Sequence, residues 1–346
     1  MSVWIFLAVF GTAGGLSALL TPLAIHVGKR WEIVDVPGGR RKHKGRIVRL
    51  GGLALYPAFL GAILVAQSFH IPTQDPLEKT RLVGVLLGLG LVWAVGLLDD
   101  FRHLSFWPQV GGLVLAAFVA ILFKVFIELF NNPFTNAQVK VNWYIMVPLT
   151  LFWIVGMTGT MNVLDGLDGL ATGVSAIASL VLFLHMLRLR QESVALLPLA
   201  LLGVCIGFLP YNFSPAKIFL GGGAYVLGYA VATLSIVAGA KVATALLVLW
   251  LPILDAAWQV YCRWRRGQPI SLGDRGHLHF RLQDLGWPTK RIVLFYYSIT
   301  ALLGAVALLC PSRALKLAIL AGVGAFLLLA LAVLTRLTGN NPDVGQ

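Results

Sequence analysis

The chain has 346 residues, of which 58% are hydrophobic and only 12% are charged, and its mean hydropathy is +0.84 at a formal net charge of +13. Soluble globular domains carry about 25% charged residues, so this composition excludes a soluble enzyme and a disordered chain. The three cysteines, Cys205, Cys262 and Cys310, lie in or beside apolar runs and indicate neither a disulfide framework nor a zinc site. A polytopic membrane protein remains.

Apolar runs recur along the whole chain. A spanning helix needs about 20 apolar residues, and eleven runs come near that length, with ten as the alternative count because two of them are almost continuous. These runs cover about 2–27, 51–69, 81–98, 106–130, 144–161, 169–187, 194–211, 222–239, 242–262, 292–309 and 314–335. We therefore expect an all-α polytopic integral membrane protein with about 11 transmembrane helices, formed by one domain over 1–336 and a short polar tail over 337–346.

The basic residues predict an orientation. The first run has no charged residue before it, and its positive charges begin at Lys29, so we expect a permanent helix with its N-terminus outside. Eleven spans then place five loops and the tail in the cytoplasm, where they carry 18 of the 27 Lys and Arg residues. This distribution follows the positive-inside rule. The orientation of the chain in the membrane therefore explains most of the excess of basic residues, and no nucleic-acid partner is expected.

The first basic segment is DVPGGRRKHKGRIVRLGG, residues 35–52, which includes Arg41, Lys42 and His43. Such a segment could be an orientation signal and nothing more. It could also bind an anionic lipid head group, because clustered cations hold phosphate well.

An acidic pair, Asp99 and Asp100, ends the third span. Acids are costly at membrane depth, so their presence there is a functional hint. Two adjacent carboxylates repel each other, and a divalent cation such as magnesium relieves that repulsion while also binding substrate phosphates. The alternative is a solvated helix end at which the acids only terminate the apolar run.

Three polar residues recur at a spacing of three in MNVLDGLDGL, after the fifth span. They are Asn162, Asp165 and Asp168. On a helix they would form one stripe, while Gly166 and Gly169 make a loop or a frayed helix end equally reasonable. The set could bind a polar ring, a ribose or a metal, or it could be a turn that uses Asp and Gly for their backbone geometry.

Two later loops carry further polar residues. In YNFSPAKIFLGGG, residues 211–223, three glycines precede a helix, whose N–H groups could receive phosphate or which could simply pack closely. In GDRGHLHFRL, residues 273–282, His277 and His279 share a side if the loop is extended. Together with Arg281 they suit a phosphate or a nucleotide. The alternative for this loop is a basic amphipathic segment on anionic lipid.

The order of these motifs resembles the polyprenyl-phosphate N-acetylhexosamine-1-phosphate transferase family (glycosyltransferase family 4). The motifs run DxPxxRxxH, GLLDD, NxxDGLDGL, YNFSPAKxF and HLHxRL over residues from about 30 to 290, and NVLDGLDGL is the most specific of them. The resemblance implies a multi-pass enzyme of the bacterial plasma membrane with cytoplasmic active-site loops. It would transfer HexNAc-1-phosphate, by default GlcNAc-1-phosphate, from a UDP-sugar to polyprenyl (undecaprenyl) phosphate and release UMP. The cofactor would be Mg2+, with Mn2+ as an alternative, and a homodimer is a family-level expectation.

The resemblance also implies roles for matching residues. Asp99, Asp100, Asp165 and Asp168 would be catalytic, and the first three of these would hold the metal. The substrate-binding residues would be Asn162, Asn212, Phe219, His277, His279, Arg281, Arg41, Lys42 and His43, with the Phe219 ring stacking on uracil. The HLHFRL form resembles the branch that uses simple UDP-HexNAc donors.

This chain departs from the family pattern at three places. The family commonly reads PAKxFMGDxGS, whereas PAKIFLGGGAY has Gly222 in place of the metal-binding Asp. Gln109 stands where a Lys is common, and Phe280 stands where a second adjacent His is common. If the metal shell lacks a ligand, Gly222→Asp should raise the affinity for magnesium. Two alternatives to the transferase remain open: a transporter or flippase for a lipid-linked anion, and a catalytically inactive relative that binds polyprenyl phosphate.

Overall fold

The structure is a computed structural model that describes residues 2–36, 45–69, 71–73, 75–131, 137–237, 242–271, 273 and 275–337. The helices within these ranges are α1 Val3–Arg30, α2 Gly52–Gln67, α3 Glu78–Arg102, α4 Phe106–Leu122, α5 Trp143–Leu164, α6 Leu170–Arg188, α7 Glu192–Asn212, α8 Gly223–Val237, α9 Val242–Val248, α10 Trp250–Arg265, α11 Leu278–Asp284, α12 Thr289–Leu309 and α13 Arg313–Leu337. The helical class predicted from the apolar runs is confirmed.

Each of the eleven predicted spans contains a helix. Among the described residues, seven helices are long and apolar enough to cross a membrane, and the pair formed by α9 and α10 raises this number to eight if it counts as one span. The shorter apolar helices α2, α4 and α8 account for the remaining predicted runs. The chain is therefore a multi-pass membrane protein, while the count of eleven and the orientation stay predictions.

Two predicted spans need correction. The run at 106–130 was expected to be one helix, but α4 ends at Leu122, and Lys124 follows with a positive φ of 64°. The run at 242–262 is broken at Leu249 into α9 and α10, which meet at an angle of 78°. Pro252 explains this break, because it has no N–H to donate to the carbonyl of Val248 and its ring would clash there.

The sequence analysis did not predict the two small sheets. Strand β1 (Val34–Asp35) pairs antiparallel with β2 (Ile47–Arg49), and β2 pairs parallel with β5 (Ile218–Phe219). The second sheet is a hairpin of β3 (Leu129–Asn131) and β4 (Gln138–Lys140). In the first sheet Arg49 lies opposite Phe219, which joins two loops that are far apart in the sequence.

Small residues let the helices approach closely. Gly14 of α1 faces Gly203 and Gly207 of α7, and a Cβ at Gly207 would collide with the α1 backbone. The Ser17 hydroxyl donates to the Val204 carbonyl across the same contact, at 2.8 Å. Without water to expel, helices in lipid associate through such close packing and buried hydrogen bonds.

The loops that carry the predicted motifs meet at one end of this bundle. The C-terminal ends of α3, α5, α7 and α10 lie there together with the N-terminal ends of α4, α6, α8 and α12, as the contacts described below show. The acidic pair, the Asp165–Asp168 turn, the glycine run and the histidine segment are thus neighbours. The sequence predicted that these loops share one side, and the bundle brings them together.

Candidate active site

The acidic pair is buried in the last turn of α3 against one arginine. Asp99 is 4% exposed and Asp100 is 2% exposed. Arg49 approaches both carboxylates, with Nη2 at 2.8 Å from Asp99 Oδ2 and Nε at 3.3 Å from Asp100 Oδ1. A buried carboxylate needs such a partner, because desolvation of an unpaired charge is very costly. The acids are therefore not a solvated helix end.

The sequence analysis did not single out Arg49 from the other basic residues of segment 35–52. The residue lies in β2, and the parallel pairing of β2 with β5 places its guanidinium beside the end of α3. Burial alone would lower the pKa of this guanidinium, but the carboxylates of Asp100 and Asp99 more than offset the effect and raise its pKa above the usual value. Arg49 therefore stays charged under all ordinary conditions.

Asp99 has a second donor on its other oxygen. Gln109 of α4 donates from Nε2 to Asp99 Oδ1 at 2.9 Å and to the Leu104 carbonyl at 2.8 Å. The Tyr225 hydroxyl of α8 donates in turn to Gln109 Oε1 at 2.7 Å. Gln109, which stands where the resemblance predicts a lysine, thus links Asp99 to a tyrosine.

Asp100 is held by the backbone of the glycine run. The Gly222 N–H lies 3.0 Å from both Asp100 oxygens. A Cβ at Gly222 would collide with the backbone of Gly96, one turn before the acidic pair. The anion at this helix N-terminus is therefore the chain's own carboxylate, and the close-packing interpretation of the glycine run is the one that the structure supports.

This packing also bears on the missing metal ligand. An aspartate at position 222 has no room beside Gly96, and a side chain at Gly221 would collide with Asp100. The expectation that Gly222→Asp would raise magnesium affinity is therefore not supported by this backbone.

The MNVLDGLDGL segment ends a helix and begins a turn. Helix α5 stops at Leu164, so the single stripe expected for a helical segment does not form. Asp165 follows the helix as its C-cap, and Asp168 Oδ2 accepts the Ala216 N–H at 3.0 Å. Gly169 has a φ of 80°, and its carbonyl accepts the Tyr297 hydroxyl at 2.5 Å. The turn is thus tied to the 213–219 loop and to α12.

Asn212 and Phe219 frame the 213–219 loop. The buried Asn212 accepts the Thr172 hydroxyl at 2.6 Å and donates to the Ile218 carbonyl at 3.0 Å. These bonds make Asn212 the support that fastens the loop to α6. Phe219 is half-buried in β5 and lines a cavity that is described below.

The histidine segment is a short helix and not the extended loop that the sequence analysis considered. His277 precedes α11 as its N-cap, and its ring stacks on that of His279 at a centroid distance of 5.8 Å and an angle of 8°. The two rings thus lie on the same side of the segment, as predicted. They do so at the start of a helix and not along an extended loop. Arg281 is buried, and its Nε donates to the Gly276 carbonyl at 2.6 Å.

A polar stripe on α10, Asp255, Gln259 and Arg263, holds this segment and was missed as a set. Asp255 Oδ1 accepts the Leu278 N–H at 2.8 Å, and Oδ2 lies 3.2 Å from His277 Nδ1. Gln259 donates to the Gly276 carbonyl, and Arg263 donates to the Ile270 carbonyl at 2.9 Å. A spacing of four in an otherwise apolar span is the signal that could have found these residues.

Two cavities in the described part of the chain meet at Arg49. The larger, of about 440 Å³, is lined by Asp99, Gln109, Asn162, Tyr225, Arg263 and His277 among others. The smaller, of about 280 Å³, is lined by Asp168, Asn212, Phe219 and Gln283 among others. Arg49, Asp165, Gly166, Gly221 and Phe280 line both. Two substrates that occupied these cavities would meet at the guanidinium of Arg49.

The predicted site residues divide into three groups. Asp99, Asn162, Asp165, Asp168, Asn212, Phe219 and His277 line one or both cavities. Asp100, His279 and Arg281 are buried and are not part of either lining. Arg41, Lys42 and His43 lie outside the described residues.

The donor set can be compared with the needs of magnesium. Within the described ranges, no three His, Cys, Asp or Glu side chains are close enough together to hold a metal. Asp99 and Asp165 nevertheless line the same cavity, and Mg2+ usually takes one or two carboxylates, keeps several waters and binds substrate phosphates. The residues present therefore fit Mg2+. They do not fit a metal ion whose ligands all come from protein side chains.

Comparisons with known proteins show the family of this chain. The model of glycosyl transferase family 4 matches residues 82–239. A probable undecaprenyl-phosphate N-acetylglucosaminyl 1-phosphate transferase of Bacillus subtilis is 30% identical over 312 residues, which are 87% of this chain and 84% of that protein. The decaprenyl-phosphate N-acetylglucosaminephosphotransferase of Mycobacterium tuberculosis is 30% identical over 319 residues, 84% and 79% of the two chains.

A third relative comes from another branch. The phospho-N-acetylmuramoyl-pentapeptide-transferase of Listeria welshimeri is 34% identical over 330 residues, which are 90% of this chain and 99% of that protein. The chain belongs to glycosyl transferase family 4, which confirms the resemblance of its motifs. It is accordingly an enzyme, a membrane-embedded phosphotransferase.

Proposed function

We propose that this enzyme transfers HexNAc-1-phosphate, most simply GlcNAc-1-phosphate, from a UDP-sugar to polyprenyl phosphate and releases UMP. The observation that carries the proposal is the pair of cavities that share Arg49 and Asp165 beside a buried acidic pair. A reaction between two phosphate-bearing substrates needs such a junction. The setting would be the bacterial plasma membrane, where the product would start a cell-envelope polysaccharide.

The smaller cavity suits the nucleoside of the donor. Phe219 offers a ring on which uracil can stack, and Asp168 offers a carboxylate to a ring N–H or to ribose. His277 and Asn162 lie in the larger cavity, where they can contact the sugar. Two of the three relatives described above are named for N-acetylglucosamine, which supports GlcNAc as the first sugar to test.

The larger cavity suits the acceptor phosphate. It combines Asp99 and Arg49 with the apolar side chains of Leu104 and Phe106, which follow α3 at the end of its membrane-spanning run. A lipid phosphate could enter there while its chain stays in the bilayer. Arg41, Lys42 and His43 remain part of the proposal as additional cations for this phosphate.

The chemistry is phosphoryl transfer between two anions, so the barrier consists mainly of charge repulsion and positioning. Arg49 would neutralise charge where the two substrates meet, and its ion pairs would hold it in place. Bound Mg2+ would supply further charge neutralisation. The proposed ligands are Asp99 and Asp165, which line the larger cavity, and Asp100, which lies behind that lining. A phosphate monoester has a second pKa near 6, so the acceptor is mostly dianionic at neutral pH and needs no strong general base.

The test is UMP release by the purified full-length protein with UDP-GlcNAc, undecaprenyl phosphate and magnesium. Release should depend on both the lipid and the metal, and EDTA should abolish it. Asp100→Asn should lower the rate about 100-fold or more, because it removes a buried charge on which Arg49 and Gly222 converge. The exposed Arg265→Lys is the matched control and should keep the full rate.

The outcome also separates the remaining alternatives. Activity with another UDP-HexNAc and silence with UDP-GlcNAc would change the sugar but keep the reaction. Silence across a panel of UDP-sugars would contradict the proposal and favour the inactive relative, for which Gly222 is the specific observation. A transporter is the weaker alternative, because the chain belongs to a transferase family.

A further inference from the structure

A chain of hydrogen bonds links four elements around Asp99. It runs from the Tyr225 hydroxyl on α8 to Gln109 on α4 at 2.7 Å, and from Gln109 to Asp99 on α3 at 2.9 Å. Arg49 of β2 closes the chain on the other carboxylate oxygen at 2.8 Å. Tyr225, Gln109, Asp99 and Arg49 all line the larger cavity.

The chain fixes which way the Gln109 amide points. Both hydrogens of Nε2 have acceptors, Asp99 Oδ1 and the Leu104 carbonyl, and Oε1 has the Tyr225 hydroxyl as its donor. A flipped amide would place Oε1 against the Asp99 carboxylate, where two acceptors repel each other. The two acceptors at Nε2 therefore fix the amide orientation, and the tyrosine hydroxyl holds the other end of the amide by donating to Oε1.

Asp99 is consequently fixed from two sides. One oxygen accepts from a neutral amide and the other from a guanidinium, so rotation of the carboxylate would break one of two bonds. Each carboxylate oxygen has two acceptor sites, so one site per oxygen remains for a ligand in the cavity. A second cation in place of Gln109 would instead compete with that ligand for the carboxylate charge.

We propose that Gln109 and Tyr225 are positioning residues that hold the Asp99 carboxylate in the orientation required to bind a divalent cation in the larger cavity. The proposal rests on the proposed phosphoryl transfer, since it assigns a task to two residues of that site. It goes beyond the family pattern, in which position 109 is commonly a lysine. Tyr225 acts only through Gln109, and this dependence can be measured.

The chain offers a matched control on the same two helices. Tyr229 lies one turn after Tyr225 on α8, and its hydroxyl donates to the Ala116 carbonyl of α4 at 3.2 Å. Like Tyr225, it joins α8 to α4, but it is buried away from the cavity and has no bond to Asp99. Tyr229→Phe therefore reports what the loss of one buried hydroxyl between these helices does by itself.

The experiment compares Tyr225→Phe, Gln109→Leu, the double variant and Tyr229→Phe in the full-length protein. Two quantities are measured: binding of Mn2+ by electron paramagnetic resonance, and the steady-state constants for UMP release with magnesium varied. Tyr225→Phe should weaken Mn2+ binding and lower kcat by about 3- to 10-fold, with the KM for UDP-GlcNAc unchanged. Gln109→Leu should weaken Mn2+ binding and lower kcat by about 10- to 100-fold, because it removes a hydrogen bond to a charged group.

The decisive comparison is the double variant. If Tyr225 acts through Gln109, Tyr225→Phe adds nothing once Gln109 is leucine, and the double variant matches Gln109→Leu. If the double variant instead lost as much activity as the product of the two single losses, the proposal would be overturned. Mn2+ binding within 2-fold of the wild type in Tyr225→Phe, or an equal loss in Tyr229→Phe, would also overturn it. If the wild type releases no UMP, the proposed function fails, while the Mn2+ measurement still decides whether Gln109 and Tyr225 position Asp99.

Discussion

At the scale of single residues, Gln109 and Gly222 stand where the resemblance predicts a lysine and an aspartate. The two departures remove one positive and one negative charge from the same site, so the formal charge around the acidic pair does not change. Each residue supports one acid, Gln109 by its side-chain amide and Gly222 by its backbone N–H. This balance of charge favours a site with a changed set of contacts over a site that has lost its function.

The Gly222 contact gives a prediction about stability. Gly222→Ala should destabilise the protein by about 1–3 kcal/mol, because the new Cβ would force apart the α3 and α8 backbones at Gly96. The measurement is the apparent melting temperature of the purified protein in detergent. Gly111→Ala in α4 is the control, because its Cβ would meet nothing within 4 Å, and it should leave stability unchanged or slightly raised. Equal melting temperatures for Gly222→Ala and wild type would contradict the close packing.

At the scale of elements, α10 has a buried polar face and an exposed aromatic face. Its buried polar stripe holds the histidine segment, while Tyr261 and Trp264 are exposed on the opposite side. The break at Leu249 separates this amphipathic helix from the apolar α9. The apolar run predicted as one straight helix is therefore two helices, and the second of them supports the site.

The contacts of Asp255 with His277 and Leu278 give a prediction about the histidine segment. Asp255→Asn keeps the volume but removes the charge that faces His277 and that strengthens the bond from the Leu278 N–H, so α11 should be less well held, by about 0.5–2 kcal/mol. We expect faster hydrogen exchange over 275–284 and a higher KM for the UDP-sugar. The exchange of α6 should not change, which serves as the internal control. Unchanged exchange over 275–284 would show that α10 does not support this segment.

The sequence was sufficient for the helical class and for the few polar residues of the cavity lining that stand in motifs, because apolar length and acids beside apolar runs are local signals. Arg49 could not be found in this way. Segment 35–52 offers several basic residues of the same kind, and only the register of β2 against β5 decides which of them reaches Asp99. Gln259 was missed for a similar reason, since its partner, the Gly276 carbonyl, belongs to a distant loop.

At the scale of the whole molecule, α3, α5 and α7 end near the site, α4, α6 and α8 begin there, and Arg49 and Arg263 lie at the same end. Lys79 is exposed in the first turn of α3, at the opposite end from Asp99, and Arg265 is exposed at the site end of α10. From the positive-inside rule we expect the site end to face the cytoplasm.

Labelling from one side of the membrane tests this orientation. In a cysteine-free background, an impermeant maleimide should modify Lys79→Cys only in right-side-out vesicles and Arg265→Cys only in inside-out vesicles. Detergent should expose both positions to the reagent, which controls for their reactivity. The reversed pattern would place the site outside and would contradict a donor drawn from the cytoplasm.

The pairing of β2 with β5 has a consequence for biosynthesis. Arg49 is made early, but the strand that fixes it beside the acidic pair ends at Phe219, about 170 residues later. A nascent chain can therefore insert its first helices while Asp99 and Asp100 still lack their arginine in its final place. The catalytic centre would mature late, once β5 and the Gly222 amide have left the ribosome, so that no shorter N-terminal fragment would carry a finished site.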